Sequence, residues 1–280
     1  MKLAAFPAEA PPIGSPFDFR IGAAQKLEET DIRSAIESGD WGFFHSFTTG
    51  SAVDGPGVRL VAWLSGCQFK CVFCHNPDTW KSSNGTPVPL ERAVEVVSQY
   101  RNSLRTMKGG LTISGGEPLL QYRFLARLFP KVKELGVHTD LETNGYFGDR
   151  LTDKDLESID LIMLGLKAIE PSLHKRLTGM DNAPAHEFAR RLAKKKHPVW
   201  IRFVIVPGWT DNMDEIGRMA DFAAELGNVQ RIDVLPFHQM GQFKWEKLGM
   251  EYKMRDAEPP SAETIEQALA RFKAVGLNVV

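Results

Sequence analysis

The chain has 280 residues, 43% of them apolar and 25% charged, a composition typical of soluble globular proteins. Its 34 basic and 35 acidic residues leave a formal net charge of −1, so no electrostatic attraction draws it to nucleic acid or anionic lipid. No apolar run approaches the roughly 20 residues needed to cross a bilayer. Composition therefore argues against a nucleic-acid-binding or membrane protein and favours a globular domain with a full core.

The N-terminus begins like an export signal but does not continue as one. Pro7 and Glu9 limit the first apolar run to residues 3–6, short of the apolar stretch of about 7–15 residues in a secretory signal peptide. Residues 1–16 are rich in Ala and Pro and are expected to be extended or disordered. Residues 25–37 place apolar side chains at helical spacing among charges, which predicts a short amphipathic helix. We expect a cytoplasmic protein.

From residue 41 onward, short apolar runs alternate with longer stretches of helical periodicity. The predicted strands are residues 58–64, 111–114, 139–143, 161–164, 199–205 and 231–235. The predicted helices are residues 90–104, 119–135, 186–195, 214–226 and 262–274, with Pro130 expected to kink or split the second. Strands that alternate with helices form right-handed βαβ units in a parallel sheet. The sequence thus predicts an α/β fold, a partial (β/α)6 TIM-like barrel at residues 41–280, preceded by an N-terminal extension at residues 1–40.

Polar residues and glycines fall at, or just after, the ends of the six predicted strands. In parallel α/β barrels the carboxyl ends of the strands carry the chemistry, because the loops there converge on one face. The residues in these positions are Cys67, Ser114-Gly115-Gly116-Glu117, Glu142-Thr143-Asn144, Lys167, Arg202 and His238. Their shared position predicts one functional site and supports it more strongly than any single motif does.

The chain has three cysteines, Cys67, Cys71 and Cys74, all on one loop after the first predicted strand. An odd number at such close spacing does not suit a disulfide framework, whereas metal ligation or redox catalysis suits thiols in a reducing compartment. A [4Fe–4S] cluster held by three thiolates would keep one iron open to a small ligand. Three alternatives stay open: zinc with His75 as fourth ligand, haem attached at the Cys-x-x-Cys-His pattern, and a redox dithiol. Zinc is disfavoured because adjacent Cys74 and His75 reach one ion with difficulty, and haem because its attachment normally needs export.

The spacing Cys-x3-Cys-x-aromatic-Cys after a first strand resembles the signature of radical S-adenosylmethionine (SAM) enzymes. Within that superfamily the chain is similar to the glycyl-radical-enzyme activating family, which includes the activating enzymes of pyruvate formate-lyase. The resemblance runs from about Phe44 to the C-terminus, and only residues 1–40 lie outside it. The motifs that carry it are Asp54-Gly55-Pro56-Gly57-Val58-Arg59, Cys74-His75-Asn76-Pro77-Asp78-Thr79-Trp80, Trp200-Ile201-Arg202, Val206-Pro207-Gly208-Trp209, Leu235-Pro236-Phe237-His238, Lys244-Trp245 and Gly249-Met250-Glu251-Tyr252-Lys253.

The resemblance implies that Cys67, Cys71 and Cys74 hold a [4Fe–4S] cluster and are the catalytic residues. It implies an enzyme of anaerobic metabolism that cleaves SAM to methionine and a 5′-deoxyadenosyl radical, which abstracts hydrogen from one glycine of a partner enzyme. The implied partner is pyruvate formate-lyase or a relative, the implied electron donor is flavodoxin or ferredoxin, and the activase itself is expected to be a monomer. Two alternatives stay open: a radical SAM enzyme acting on another protein or small molecule, and a non-catalytic, cluster-bearing regulator.

The resemblance also assigns residues to SAM itself. Gly115, Gly116 and Glu117 match the family's Gly-Gly-Glu element, where absent side chains let the backbone approach a ligand closely. Arg202 lies within an apolar strand, so its charge forms either a structural ion pair or a contact with an anion such as a carboxylate. The other implied contacts are Phe73, Cys74, His75, Thr143, Gly165, Leu166, Lys167 and His238, with Phe73 and His238 beside the adenine.

The chain departs from the family at two positions. Family members commonly carry two aspartates, in Asp-Thr-Asn-Gly and Leu-Asp-Leu-Lys elements, that help to hold a monovalent cation beside SAM. The corresponding residues here are Glu142, which keeps the charge on a longer arm, and Gly165, which removes it. A bound monovalent cation is therefore the one implied cofactor that these departures put in question.

Overall fold

The computed structural model describes residues 29–280, which alternate strands and helices. The described chain divides into two compact units. The first contains residues 29–67 with Lys81–Leu141 and Leu151–Ile159, and the second contains Gln68–Trp80, Glu142–Arg150 and Asp160–Val280. Residues 1–28, which include the segment predicted to be extended or disordered, lie outside the described residues.

The first unit is built on the strands β1 (Trp41–Ser51), β2 (Arg59–Leu64), β3 (Thr86–Pro89), β4 (Gly110–Gly115) and β5 (His138–Thr143), of which residues 138–141 belong to this unit. Their order is β3-β1-β2-β4-β5. β1 runs antiparallel to β2 and β3, whereas β2, β4 and β5 run parallel. β2 and β4 are largely buried on both faces, which explains why their sequences are nearly continuous apolar runs rather than alternating ones.

The described helices of the first unit are α1 (Glu29–Ser38), α2 (Leu90–Thr106), α3 (Tyr122–Glu134) and α4 (Asp153–Leu156). α1 packs through Ile32 and Ala35, which are buried together with Phe43 of β1. α3 continues through Pro130, so the helix is not split there. α1 corresponds to the short amphipathic helix predicted at residues 25–37, as far as that segment is described.

The second unit is built on the parallel strands β6 (Leu161–Leu164), β7 (Val199–Ile205) and β8 (Val229–Pro236), in that order. β7 alternates between buried residues and half-buried ones, because successive side chains of a strand point to opposite faces. Val199, Ile201 and Phe203 lie on its buried face. Arg202 lies on the other face, where a charged side chain can reach polar partners.

The helices of the second unit are α5 (Pro171–Thr178), α6 (Ala183–Lys194), α7 (Met213–Leu226), α8 (Gln242–Lys247) and α9 (Ala262–Ala274). α7 begins at Asn212, whose side chain accepts a hydrogen bond from the Glu215 N–H at 2.9 Å, and it ends at Gly227 in a left-handed conformation. Phe272 of α9 meets Phe203 of β7 edge to face, with ring centroids 6.2 Å apart. This contact joins the last helix to the buried face of β7.

The predicted fold class is confirmed: the protein has an α/β fold of the partial (β/α)6 barrel class. The six predicted strands correspond to β2, β4, β5, β6, β7 and β8. The prediction missed β1 and β3, because β1 mixes buried and exposed residues without alternation and β3 contains two prolines. It also missed α4, α5 and α8, which are too short to show helical periodicity. No helix among residues 29–280 is long and apolar enough to cross a membrane.

Candidate functional site

In the first unit, the loop after β2 contacts the glycine turn after β4. Gly116 and Glu117 donate their backbone N–H groups to carbonyl oxygens at the end of β2 and in its loop, at 2.8 and 2.7 Å. Gly115 has a φ of +123°, which favours glycine, and a Cβ on Gly116 would clash with the Gly66 carbonyl oxygen. The two glycines therefore permit a close approach of two backbones directly beside Cys67.

Two buried polar side chains fix this arrangement. The Glu117 carboxylate accepts a hydrogen bond from the Leu119 N–H at 2.9 Å, which begins a short 3-10 turn. The Gln121 side chain donates to the carbonyl oxygens of Phe43 and Ser65 at 3.2 and 2.9 Å, and it accepts from the Phe43 N–H at 2.8 Å. No motif or periodicity of the sequence singles out Gln121. Its amide after an apolar segment was the only available signal.

The Gln68–Trp80 segment of the second unit, here called the cysteine loop, is anchored at the end of α5. Two of its backbone N–H groups donate to the carbonyl oxygens of Leu177 and Thr178 at 3.0 and 2.8 Å. The Cys74 N–H donates to the Cys71 carbonyl oxygen at 3.1 Å, which closes a turn between the two thiols. These bonds hold Cys71 and Cys74 in one compact stretch of backbone.

Phe73 lies between these cysteines and packs into an apolar cluster of the second unit. It is buried together with Leu177, Phe237 and Trp245, and Cys71 and Cys74 lie at the border of the same cluster. Phe73, which the family resemblance places beside the adenine, thus contributes to a core that supports the cysteine loop.

The surroundings of Cys71 and Cys74 oppose ionisation. Burial raises the pKa of the Cys71 thiol to about 12 and also raises the pKa of Cys74. The Lys167 ammonium acts on both pKa values in the opposite direction, because a positive charge favours a thiolate. Neither these thiols nor Cys67 form a disulfide. Such thiols lose their protons readily when a metal binds them.

His75 and His238, both predicted SAM contacts, lie against each other in the second unit. Their ring centroids are 4.1 Å apart, and the His75 Nε2 donates to the His238 carbonyl oxygen at 3.0 Å. Burial, followed by the electrostatic effect of His238, lowers the pKa of His75, which favours the neutral ring. Gly241 leaves room for the pair, because a Cβ there would lie 2.7 Å from the His75 Cα.

Thr143, Gly165, Leu166 and Lys167 are brought together where β5 and β6 end within the second unit. The Gly165 N–H donates to the Thr143 carbonyl oxygen at 2.8 Å. Leu166 is buried, so its side chain belongs to the core. A Cβ on Gly165 would lie 3.0 Å from the Lys167 Nζ, which means that an ammonium occupies the space beside this glycine.

Arg202 and Glu142 form an ion pair in the second unit. The Arg202 guanidinium donates to the Glu142 carboxylate at 2.6 Å, and the two side chains are 16% and 21% exposed. Of the two alternatives for Arg202, the structure contains the ion pair. The Glu142 carboxylate is therefore engaged by a cation of the chain itself.

The predicted site residues thus divide between the two units. Cys67, Gly115, Gly116 and Glu117 belong to the first, and the second contains Cys71, Phe73, Cys74, His75, Thr143, Gly165, Leu166, Lys167, Arg202 and His238. Within residues 29–280, no group of three or more His, Cys, Asp or Glu side chains is arranged to hold a single metal ion.

The chain is similar in sequence to known proteins over most of its length. The family model of the Radical SAM superfamily matches residues 61–223. The pyruvate formate-lyase 1-activating enzyme of Escherichia coli (strain K12) is 41% identical over 241 residues, which cover 85% of this chain and 98% of the relative. The pyruvate formate-lyase-activating enzyme of Staphylococcus aureus (strain USA300) is 42% identical over 234 residues, which cover 81% of this chain and 93% of the relative.

Solved structures are similar at the level of the fold. Streptococcus suis SuiB bound to S-adenosylmethionine matches with a TM-score of 0.56 and 18% sequence identity, covering 76% of this chain and 47% of SuiB. SuiB bound to the precursor peptide SuiA matches with a TM-score of 0.60 and 16% identity, covering 94% of this chain and 57% of that protein.

Proposed function

This chain belongs to the radical SAM superfamily and, within it, to the family of pyruvate formate-lyase activating enzymes, and we propose that it activates pyruvate formate-lyase or a related glycyl-radical enzyme. The observation that carries the proposal is the three-cysteine motif. Cys71 and Cys74 are free of disulfides on a loop that is anchored at its backbone and backed by an apolar cluster. The alternatives of zinc, haem and a redox dithiol have no comparable support from relatives at 41–42% identity.

The residues fit an iron–sulfur cluster by the chemistry of their donors. Thiolates are the usual ligands of such clusters, and Cys67, Cys71 and Cys74 would supply the three that hold it. When bound, the cluster would supply one electron to the SAM sulfonium, whose cleavage would give methionine and the 5′-deoxyadenosyl radical that takes hydrogen from a glycine of the partner. The protein's own contribution is to orient SAM and to exclude water.

We assign SAM contacts to the residues that the family pattern indicates, with three refinements from the contacts within each unit. Gly115 and Gly116 would accept hydrogen bonds from the ligand ammonium through their backbone carbonyl groups, because the space that their missing side chains leave is filled by the backbone of Leu64 and Gly66. Arg202 would bind the SAM carboxylate while it stays paired with Glu142. Leu166 would contribute through its backbone, because its side chain is buried. The remaining proposed contacts are Phe73, Cys74, His75, Glu117, Thr143, Lys167, Gly165 and His238.

The monovalent cation of the family is proposed to bind weakly to this chain. Glu142 is paired with Arg202, and the space beside Gly165 contains the Lys167 ammonium. Two positive charges of the chain thus stand near the positions where relatives place carboxylates, and like charge repels a further cation.

We propose a cytoplasmic protein that acts as a monomer and receives electrons from flavodoxin or ferredoxin. The names of the two relatives support pyruvate formate-lyase as the partner. The sequence and the described helices support neither a membrane location nor nucleic acid as partner.

The decisive test is oxygen-free reconstitution with iron and sulfide, followed by reduction in the presence of SAM and purified pyruvate formate-lyase. We expect 5′-deoxyadenosine, measured by chromatography, and a glycyl radical on the partner, measured by electron paramagnetic resonance. Formation of 5′-deoxyadenosine without a glycyl radical would point to another substrate. Iron uptake without 5′-deoxyadenosine would support the non-catalytic regulator, and stoichiometric zinc without iron would refute the cluster.

A further inference from the structure

The loop that follows β6, residues 165–170 of the second unit and here called the β6 loop, contains three of the proposed SAM contacts. It is fixed where the strand ends, because the Gly165 N–H donates to the Thr143 carbonyl oxygen at 2.8 Å. Leu166 and Ala168 are buried, so their side chains anchor the loop in the core of the unit. The first half of the β6 loop is therefore held by the strand end and by apolar packing.

A buried carboxylate of α7 holds the second half of the β6 loop. Glu215 is fully buried, and its side chain accepts hydrogen bonds from the backbone N–H groups of Ile169 and Glu170, the latter at 3.3 Å. Arg218, one turn further along the helix, donates to the same carboxylate at 3.2 Å. Burial of a carboxylate is costly unless it is paired and hydrogen-bonded, and these contacts provide both kinds of partner.

The place of Glu215 in its helix favours a different use of this side chain. Asn212 precedes α7 and accepts a hydrogen bond from the Glu215 N–H at 2.9 Å. A glutamate in that position commonly returns a hydrogen bond to the backbone N–H of the capping residue, which completes a capping box. Here the carboxylate instead bonds the β6 loop, 45 and 46 residues earlier in the chain. A side chain that could stabilise the start of its own helix thus serves another segment.

Asn182, directly before α6, binds the carbonyl oxygens of the same stretch. Its side-chain amide donates to the carbonyl oxygens of Ala168 and Ile169 at 3.3 and 2.8 Å, and the residue is only 4% exposed. Glu215 accepts from the N–H groups of this stretch, and Asn182 donates to its carbonyl groups. The two buried side chains therefore supply the hydrogen bonds that a loop without regular secondary structure needs for its backbone.

We propose that Glu215 and Asn182 are positioning residues for SAM binding: they hold the backbone of the β6 loop and thereby keep Gly165, Leu166 and Lys167 in the arrangement that receives the ligand. A loop that is ordered before binding loses less conformational entropy when the ligand arrives, so the affinity is higher. Neither residue would touch SAM itself. The proposal rests on the proposed function, because it needs SAM as the ligand of this loop.

The test compares Glu215→Gln and Asn182→Asp, which keep the size of each side chain, with matched controls. Glu215→Gln turns an amide group toward a backbone N–H that needs an acceptor, and Asn182→Asp turns a carboxylate toward carbonyl oxygens. The control for the second is Asn228→Asp, because Asn228 likewise donates to a backbone carbonyl oxygen, that of His197 at 2.7 Å, outside the β6 loop. The control for the first is Glu225→Gln, at an exposed carboxylate of α7.

The first readout is SAM binding and turnover by the reconstituted enzyme. The dissociation constant for SAM, measured by equilibrium dialysis, should rise about five- to tenfold in Glu215→Gln and Asn182→Asp, the effect of about one lost hydrogen bond. The KM for SAM should rise with it, whereas kcat for 5′-deoxyadenosine formation should stay within about twofold, because saturating SAM orders the loop. Both controls should match the unsubstituted protein.

Two results would overturn the proposal. One is an unchanged dissociation constant in both Glu215→Gln and Asn182→Asp. The other is a lower kcat with an unchanged KM, because a residue with a merely structural role changes the amount of active enzyme and not its affinity for SAM. Arg218→Met keeps the test decisive if neither buried variant folds. The Arg218 side chain is 48% exposed, and its loss should weaken SAM binding about twofold; unchanged binding there would also refute the proposal.

The second readout is hydrogen exchange in the iron-free protein, which needs neither cluster nor SAM. Amides of residues 165–170 should exchange about fivefold faster in Glu215→Gln and Asn182→Asp than in the two controls. Unchanged exchange in both variants would show that these side chains do not hold the loop, and the proposal would fall. Failure of the proposed function appears separately, because the unsubstituted reconstituted protein would then bind no SAM.

Discussion

The glycine turn of the first unit and the cysteine loop of the second unit differ in how much they depend on side chains. Around Gly115 and Gly116 the principal contacts are backbone to backbone, and a side chain at Gly116 would collide with the neighbouring chain. Around Cys71 and Cys74, side-chain contacts are added to the backbone hydrogen bonds: the Trp245 indole donates to the Cys74 carbonyl oxygen, and an apolar cluster packs behind the loop. The first region should therefore fail when atoms are added, and the second when functional groups are removed.

Removal of a thiol should have the largest effect. Cys71→Ala leaves two cysteines in the motif, and we expect loss of the brown chromophore and more than a ~100-fold loss of 5′-deoxyadenosine formation, since even residues behind a metal ligand contribute ten- to hundredfold. The measurement is iron content and product yield after oxygen-free reconstitution. A Cys71→Ala protein that forms 5′-deoxyadenosine at the parent rate would show that the cluster assignment is wrong.

Addition of one methyl group to the glycine turn should have the second largest effect. Gly116→Ala forces the backbone away from Gly66, and we expect the free energy of unfolding to fall by about 2–3 kcal/mol, with weaker SAM binding. Gly217→Ala in α7 is the control, because its Cβ has ordinary contacts and alanine should stabilise the helix by about 0.5–1 kcal/mol. For both variants, denaturant unfolding measures the free energy of unfolding, and SAM titration measures the binding affinity. Equal effects of the two substitutions would contradict the backbone-built turn.

Truncation tests whether the first unit needs residues before Trp41. The sequence predicts that residues 1–40 are dispensable for the radical chemistry, yet α1 buries Ile32 and Ala35 against Phe43. We expect a chain starting at Trp41 to cleave SAM but to lose about 2 kcal/mol of unfolding free energy, the contribution of one buried isoleucine. A chain starting at Glu29 is the control and should keep that stability. Complete loss of cleavage in a folded truncation would show that the extension acts at the site.

The Arg202–Glu142 pair should show a smaller effect, because both side chains are partly exposed. Arg202→Met, Glu142→Gln and the double variant form a cycle whose coupling energy we expect to be about 1 kcal/mol in unfolding free energy. SAM affinity should fall in either single variant if the pair acts as a unit. A coupling energy of zero would mean that the two residues act independently.

The smallest effect should come from Gly165→Asp. A carboxylate introduced there would meet the Lys167 ammonium, so it should form an internal pair rather than a potassium site. We expect the potassium dependence of SAM binding to stay shallow, as in the unsubstituted protein. A steep gain in that dependence would show that the family's cation site was only depleted. A decrease in SAM binding would instead indicate repulsion from Glu142.

Much of the fold could be predicted from local patterns. β6 and β7 were predicted with the bounds that the structure has, because β6 is a continuous apolar run and β7 is apolar except for Arg202, both with clear ends. α9 was predicted equally well from its spacing of apolar residues. β1 was not predicted, because its burial depends on which strands pair with it rather than on its own sequence.

The sequence by itself determined the order of strands and helices and the three-cysteine motif, because apolar periodicity and ligand spacing are local properties of the chain. Only the tertiary structure decided that Arg202 pairs with Glu142, 60 residues away, and that Trp245 donates to the Cys74 carbonyl oxygen, 171 residues away. Hydrogen bonds form over about 3 Å, so their partners depend on where distant loops end, and no local pattern encodes that position.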